Sequence, residues 1–110
     1  MSKGFGPFGK IQEALKKAQQ VRDGAQQLQS ELETMEITGE SGNGLVKITV
    51  NGNQEPRKVS LDPSVLNEAP DVVEDLILTA MVDAYTRSAE TMRQRMEELT
   101  GSINLPGLGL

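Results

Sequence analysis

The sequence predicts an α+β fold in the order α-β-β-β-(short α)-α, with two long helices flanking a three-stranded antiparallel meander, all in one domain over residues 1–110. Three observations predict it. Val46, Ile48 and Val50 alternate with Lys47, Thr49 and Asn51, the period of a half-buried strand. Gly42-Asn43-Gly44 before this strand and Asn51-Gly52-Asn53 after it are residues that reach positive φ cheaply and so make tight turns. On both sides of the block, apolar residues recur every three or four positions, as they do along one face of a helix.

Residues 1–9 read as a flexible arm, because Gly4, Gly6, Pro7 and Gly9 resist helix. The first helix is expected from about Lys10 to Met35. Its seam runs through Ile11, Ala14, Ala18, Val21, Ala25, Leu28, Leu32 and Met35, spaced as in a coiled-coil seam. Gly24 within it weakens the helix by roughly 1 kcal/mol relative to Ala and marks a bend or a close contact. Flanking strands are expected at Glu36–Glu40 and Arg57–Leu61, on either side of the central one. Asp62-Pro63 opens a one-turn helix through Asn67. The last helix starts near Pro70, which suits a first helical turn, with Asp71, Glu74 and Asp75 favouring its positive end. Its apolar positions run from Val72 to Leu99, and Thr100-Gly101 is expected to end it. Residues 102–110, with Pro106, Gly107 and Gly109, read as a loose tail.

The central block also carries a signature. It reads Gly39-Glu40-Ser41-Gly42-x-Gly44-Leu45-Val46-Lys47, then Asn51-Gly52, then Arg57-Lys58-Val59, then Asp62-Pro63-Ser64-x-Leu66. This order resembles the YbaB/EbfC family of bacterial nucleoid-associated proteins, densely from Thr38 to Leu66 and more loosely over the helices. The resemblance implies a small homodimer on the cytoplasmic nucleoid, with double-stranded DNA as its partner. It implies no catalytic activity, no small-molecule substrate and no cofactor.

Composition narrows the chemistry independently. The only aromatics are Phe5, Phe8 and Tyr85, so the core must be aliphatic. A small sheet with two helices cannot cover all its apolar surface, and such chains often complete the core with a second subunit. There is no cysteine and no histidine, which excludes disulfides, thiolate or imidazole metal sites and a histidine-based triad. No apolar run approaches the roughly 20 residues of a membrane span, and no signal peptide is apparent, so a soluble intracellular protein without membrane partners is expected.

The net charge is −5, but its distribution is uneven. Residues 1–22 hold Lys3, Lys10, Lys16, Lys17 and Arg22 against Glu13, a net +4, whereas residues 62–83 hold six acids and no base. If the helices pack antiparallel, the start of the first and the end of the last lie together far from the sheet. That geometry would bring Arg87, Arg93 and Arg95 toward Lys3, Lys10, Lys16, Lys17 and Arg22. In a two-fold dimer two such basic tips would project, ready to attract phosphates through counterion release.

Each motif has a plainer reading. Glu13 can pair with Lys16 or Lys17, and Arg93 with Glu90 and Glu97, as solvated helix faces do. The Gly39–Gly44 stretch lacks both phosphate-loop patterns and reads as a hairpin turn. Asp71, Glu74, Asp75 and Asp83 lack the surroundings that tune a catalytic carboxylate, so no catalytic residue and no metal site is assigned. Met81, Met92 and Met96 follow helix spacing and read as packing. Phe5 and Phe8 could stack on bases or anchor the arm. The competing functional reading is a protein-interaction scaffold that uses the helical seam and the acidic surface.

Overall fold

The structure is a computed structural model that describes the backbone over residues 6–103 and side chains over residues 9–101. Lys3, Phe5, the Phe8 side chain and the stretch 104–110 lie outside those bounds. Helix α1 spans Gly6–Thr34, followed by strands β1 (Ile37–Ser41), β2 (Val46–Val50) and β3 (Pro56–Leu61), a 3-10 turn at Pro63–Asn67, and helix α2 (Pro70–Ile103). The sheet order is β1-β2-β3, all antiparallel. Both helices run past their expected ends. Helix α1 begins inside the stretch read as an arm, because Pro7 falls in the first turn, where its missing N–H removes no helical bond. Helix α2 continues through Gly101 to Ile103, and a Cβ at Gly101 would meet nothing within 4 Å.

Local chemistry sets the turns. Gly42, Asn43 and Gly44 have φ of 60°, 56° and 92°, so the β1–β2 link needs residues that tolerate the left-handed region. After β2 the left-handed residue is Gln54 (φ 60°), while Gly52 serves packing: a Cβ there would sit 2.6 Å from Leu32 Cδ2 and 2.9 Å from Leu32 Cα. The Gly52 N–H donates to Leu32 O at 2.7 Å, tying the loop to the end of α1.

Asn51 organises this junction. It is fully buried, where an unpaired amide would be costly. Its Oδ1 accepts from the N–H groups of Asn53 and Glu55, both at 2.9 Å, and its Nδ2 donates to Glu33 O and Glu55 Oε1. The buried Ser88 hydroxyl on α2 donates to Asn51 O at 2.6 Å and lies within hydrogen-bond reach of Gln54. Both helices thus leave the sheet from one fully bonded joint.

The core is aliphatic, with Val46, Ile48 and Val50 of β2 packed on Ala80 and Ala84 of α2, and Val65 closing one end. Two alanines face the sheet because α2 crosses very close to β1. A Cβ at Gly39 would fall 2.6 Å from Ala84 Cα and 2.7 Å from Ala80 O. Helix α2 also blocks the outer edge of β1: the Asp83 carboxylate accepts the Glu40 N–H at 3.0 Å, and the Ser41 hydroxyl donates to Leu76 O at 2.5 Å. An open strand edge would otherwise invite pairing with another chain.

These bonds give the fold a pH dependence. The Glu40 N–H, and then Arg87, hold the Asp83 carboxyl below its ordinary value of 3.8; the Ser64 N–H and hydroxyl do the same for Asp62. A depressed carboxylate contributes stability above its unfolded pKa and loses it as pH falls through the folded one. Urea midpoints should therefore fall below about pH 4. Asp83→Asn should lower the midpoint at pH 7 and lower it less at pH 2, as protonation removes the wild-type carboxylate charge. An equal deficit at both pH values would show that the carboxylate charge contributes nothing.

The molecule is elongated, with extents of 81 × 23 × 16 Å and a radius of gyration of 21.8 Å, against about 13 Å for a compact chain of this size. Only the N-terminal half of α2 lies on the sheet. Its C-terminal half leaves the sheet and packs against the C-terminal half of α1.

Candidate nucleic-acid interface

The helix pairing sets how far the basic segment projects. A Cβ at Gly24 would touch Leu99 Cδ1 at 2.5 Å, and Arg95 bonds Glu31 across the helices. Of the two readings of Gly24, a bend or a close contact, the structure shows the close contact. Continuing this antiparallel register places the end of α2 at Ile103 beside about Val21. Among the described residues, helix α1 runs on alone from there to Gly6, roughly 22 Å at 1.5 Å per residue. Between Gly9 and Gln20 every residue is exposed except half-buried Lys17. The free ends of the helices therefore do not lie together: α1 outruns α2 by about four turns and forms a single-helix spike.

This offset separates the predicted cations. Lys10, Lys16 and Lys17 lie on the spike, with Arg22 at its base; Glu13 is the one acid before Asp23. None of these four bases has an ion-pair partner among the described residues. Lys16 and Lys17 are about 100° apart around the axis and so present charge to two sides. Lys3 lies outside the described residues.

Arg87, Arg93 and Arg95 are elsewhere and are compensated. Arg87 sits beside the sheet, its Nε 3.1 Å from both Asp83 oxygens. Arg93 pairs with Glu90 and, at 2.5 Å, with Glu97; the paired guanidinium lowers the Glu90 carboxyl and is itself raised. Arg95 pairs with Glu31 and, at 3.6 Å, with Glu98, along a cleft of about 340 Å³ lined by Gly24, Leu28 and Leu99. Exposed pairs of this kind add little to stability, but they cancel charge that phosphates would otherwise meet. The three arginines therefore do not join the spike in one basic tip.

One exposed apolar surface escaped the sequence reading. Val59 and Leu61 pair with Ile48 and Val46 and so share their face of the sheet. Yet all of β3 is exposed, because α2 covers β1 and β2 only. Val59 is 57% exposed and Leu61 37%. Met81 and Tyr85 flank this uncovered strip: each is two residues from Asp83, nearly opposite around the helix, and Asp83 faces β1. Their alternation was legible, but not that no described element covers them. The sheet's other face is polar, with Thr38 and Thr49 hydroxyls 3.0 Å apart and Lys47 and Lys58 exposed.

Among the described residues, no group of three or more acidic side chains is arranged to hold a metal, and no helix is long and apolar enough to cross a membrane.

With the geometry in view, comparison with known proteins decides the family. The model of the YbaB/EbfC DNA-binding family matches residues 8–103. The chain belongs to the YbaB/EbfC family. A nucleoid-associated protein of Synechococcus sp. (strain JA-2-3B'a(2-13)) is 82% identical over 110 residues, covering 100% of this chain and 99% of the relative. A nucleoid-associated protein of Gloeobacter violaceus is 58% identical over 110 residues, covering 99% of each. A crystal structure of an uncharacterized protein from Helicobacter pylori superposes with a TM-score of 0.67 at 21% identity, over 88% of this chain and 97% of that one. That likeness shows that the α+β fold is shared. Within the family fold, the sheet and the half of α2 on it form the compact part, and the spike is its outermost extension.

Proposed function

We propose that this chain is a non-enzymatic, nucleoid-associated DNA-binding protein that acts as a homodimer and contacts phosphates with its projecting basic helices. The observation that carries this reading is the contrast in charge compensation. Arg57, Arg87, Arg93 and Arg95 all pair with carboxylates, while Lys10, Lys16, Lys17 and Arg22 have no such partner among the described residues. Unpaired cations on a slim projecting helix meet phosphates without first breaking a protein ion pair, and they release counterions from the duplex. The family supplies the ligand class, and its relatives' names point to the nucleoid in the cytoplasm.

The uncovered strip supports the dimer. Val59, Leu61 and Met81 expose apolar surface next to the buried core, where a second subunit can complete the layer that α2 leaves unfinished. Two spikes would then project from one central body, so each substitution in a spike acts twice.

Lys16→Glu with Lys17→Glu should weaken duplex binding across all sequences and flatten its salt dependence by up to about four units in a dimer gripping with both spikes. Fluorescence titrations at several salt concentrations measure this, with circular dichroism verifying the fold. Lys47→Glu with Lys58→Glu, on the polar face of the sheet, should bind close to wild type. If the sheet variant fails and the spike variant binds normally, DNA lies on the sheet. If the wild type binds no duplex even at low salt, the exposed apolar residues of the spike and the acidic face of α2 favour the protein-interaction scaffold instead.

A further inference from the structure

The outer face of α2 and the spike carry matching stripes of opposite chemistry. On α2, Asp71, Asp75, Leu78 and Val82 fall at i, i+4, i+7 and i+11, one continuous helix face. Leu78 is two residues from Ala80, and Val82 is two from both Ala80 and Ala84, which face the sheet, so the stripe points directly away from it. All four residues are exposed, and Leu78 and Val82 are more than half exposed. On α1, Ile11, Leu15, Ala18 and Arg22 repeat the same spacing and are all exposed, with Ile11 and Leu15 again more than half exposed.

The order of chemistry along the two stripes is complementary only when they run antiparallel. Ile11 then meets Val82, Leu15 meets Leu78, the small Ala18 lies opposite Asp75, and Arg22 meets Asp71. A parallel alignment would set aspartates against Ile11 and Leu15. The stripes cannot meet within one chain. The spike leaves α2 at its C-terminal end, and about twenty residues, or roughly 30 Å of rigid helix, separate that end from Val82.

We propose that copies of this chain associate head to tail, the spike of one lying antiparallel along the Asp71–Val82 face of the next. Any joined pair still presents one free spike and one free acidic face. The contact is therefore heterologous and propagates into an open assembly. It uses a different face from the Val59–Leu61 strip, so it can link dimers as well as single chains. The acidic stripe also competes with phosphates for Arg22 and covers the spike, which would make DNA and self-association mutually exclusive at a given spike. The inference does not depend on DNA binding, and its test contains no DNA.

The test is sedimentation velocity of the full chain over a range of protein concentrations, at about 0.05 M and about 0.5 M salt, conditions that bracket a Debye length of about 10 Å. Species larger than a dimer should grow with concentration at low salt and dissolve at high salt. Ala18→Glu with Arg22→Glu should abolish them, and so should Asp75→Lys with Asp71→Arg. Combining all four substitutions in one chain should restore them, a rescue that misfolding cannot imitate. Absence of any species beyond the dimer at low salt overturns the proposal, as does assembly that either reversal leaves intact or that the combined swap fails to restore.

Discussion

Gly39→Ala should destabilise the protein by about 3 kcal/mol, the upper end of the usual cost of overpacking. A methyl group there would meet backbone, the N and Cα of Ala84 and the O of Ala80, none of which can swing aside like a side chain. Relief requires α2 to lift from β1. Lifting it would loosen Ala80 and Ala84 from Val46, Ile48 and Val50 and stretch the Glu40–Asp83 and Ser41–Leu76 bonds. In a domain of this size the loss corresponds to a fall in Tm of roughly 10–20 °C. Gly101→Ala is the control: nothing stands within 4 Å of that Cβ, and within a helix alanine is better than glycine by about 0.5–1 kcal/mol. Calorimetry of both variants checks the pair. A Gly39→Ala protein that melts with the wild type would mean that α2 does not cross β1 at this point.

Leu61→Asp should convert a dimer into monomers. In an isolated subunit both Leu61 and Val59 are substantially exposed, and a surface substitution there would cost within about 0.5 kcal/mol. Beneath a partner, the same carboxylate would be buried without a counter-charge, a loss of about 2–5 kcal/mol that enters twice across a two-fold axis. The dimer should weaken more than about a hundredfold, with stability falling alongside association where the monomer does not fold well alone. Lys58→Asp, on the polar face of the same strand, should leave the mass unchanged. Sedimentation equilibrium at high salt, where head-to-tail contacts are screened, separates the outcomes. A Leu61→Asp protein with the mass of the wild type would remove β3 from the dimer interface.

The sequence by itself determined what lies within about ten residues of itself. The alternation of Val46, Ile48 and Val50 requires a strand with one buried face, and Gly42-Asn43-Gly44 needs no tertiary contact to accept positive φ. Pro63 and Pro70 mark helical turns because a fixed φ and a missing N–H act locally. The same local logic gave the helix periods and placed Lys10, Lys16 and Lys17 on one helix. It misjudged the helix ends, because Pro7 and Gly101 are tolerated in terminal turns.

Tertiary structure alone decided the rest. The offset between α1 and α2 is set by contacts such as Glu31 with Arg95, 64 residues apart, which no local pattern encodes. That offset isolates the spike and leaves Arg87, Arg93 and Arg95 behind among carboxylates. Val59 and Leu61 carry the same alternation as a covered strand, yet they are bare because α2, pinned at Gly39, Asp83 and Ser88, reaches only two of the three strands. Periodicity tells which side of a strand is apolar, while what covers that side depends on where a distant helix can approach most closely.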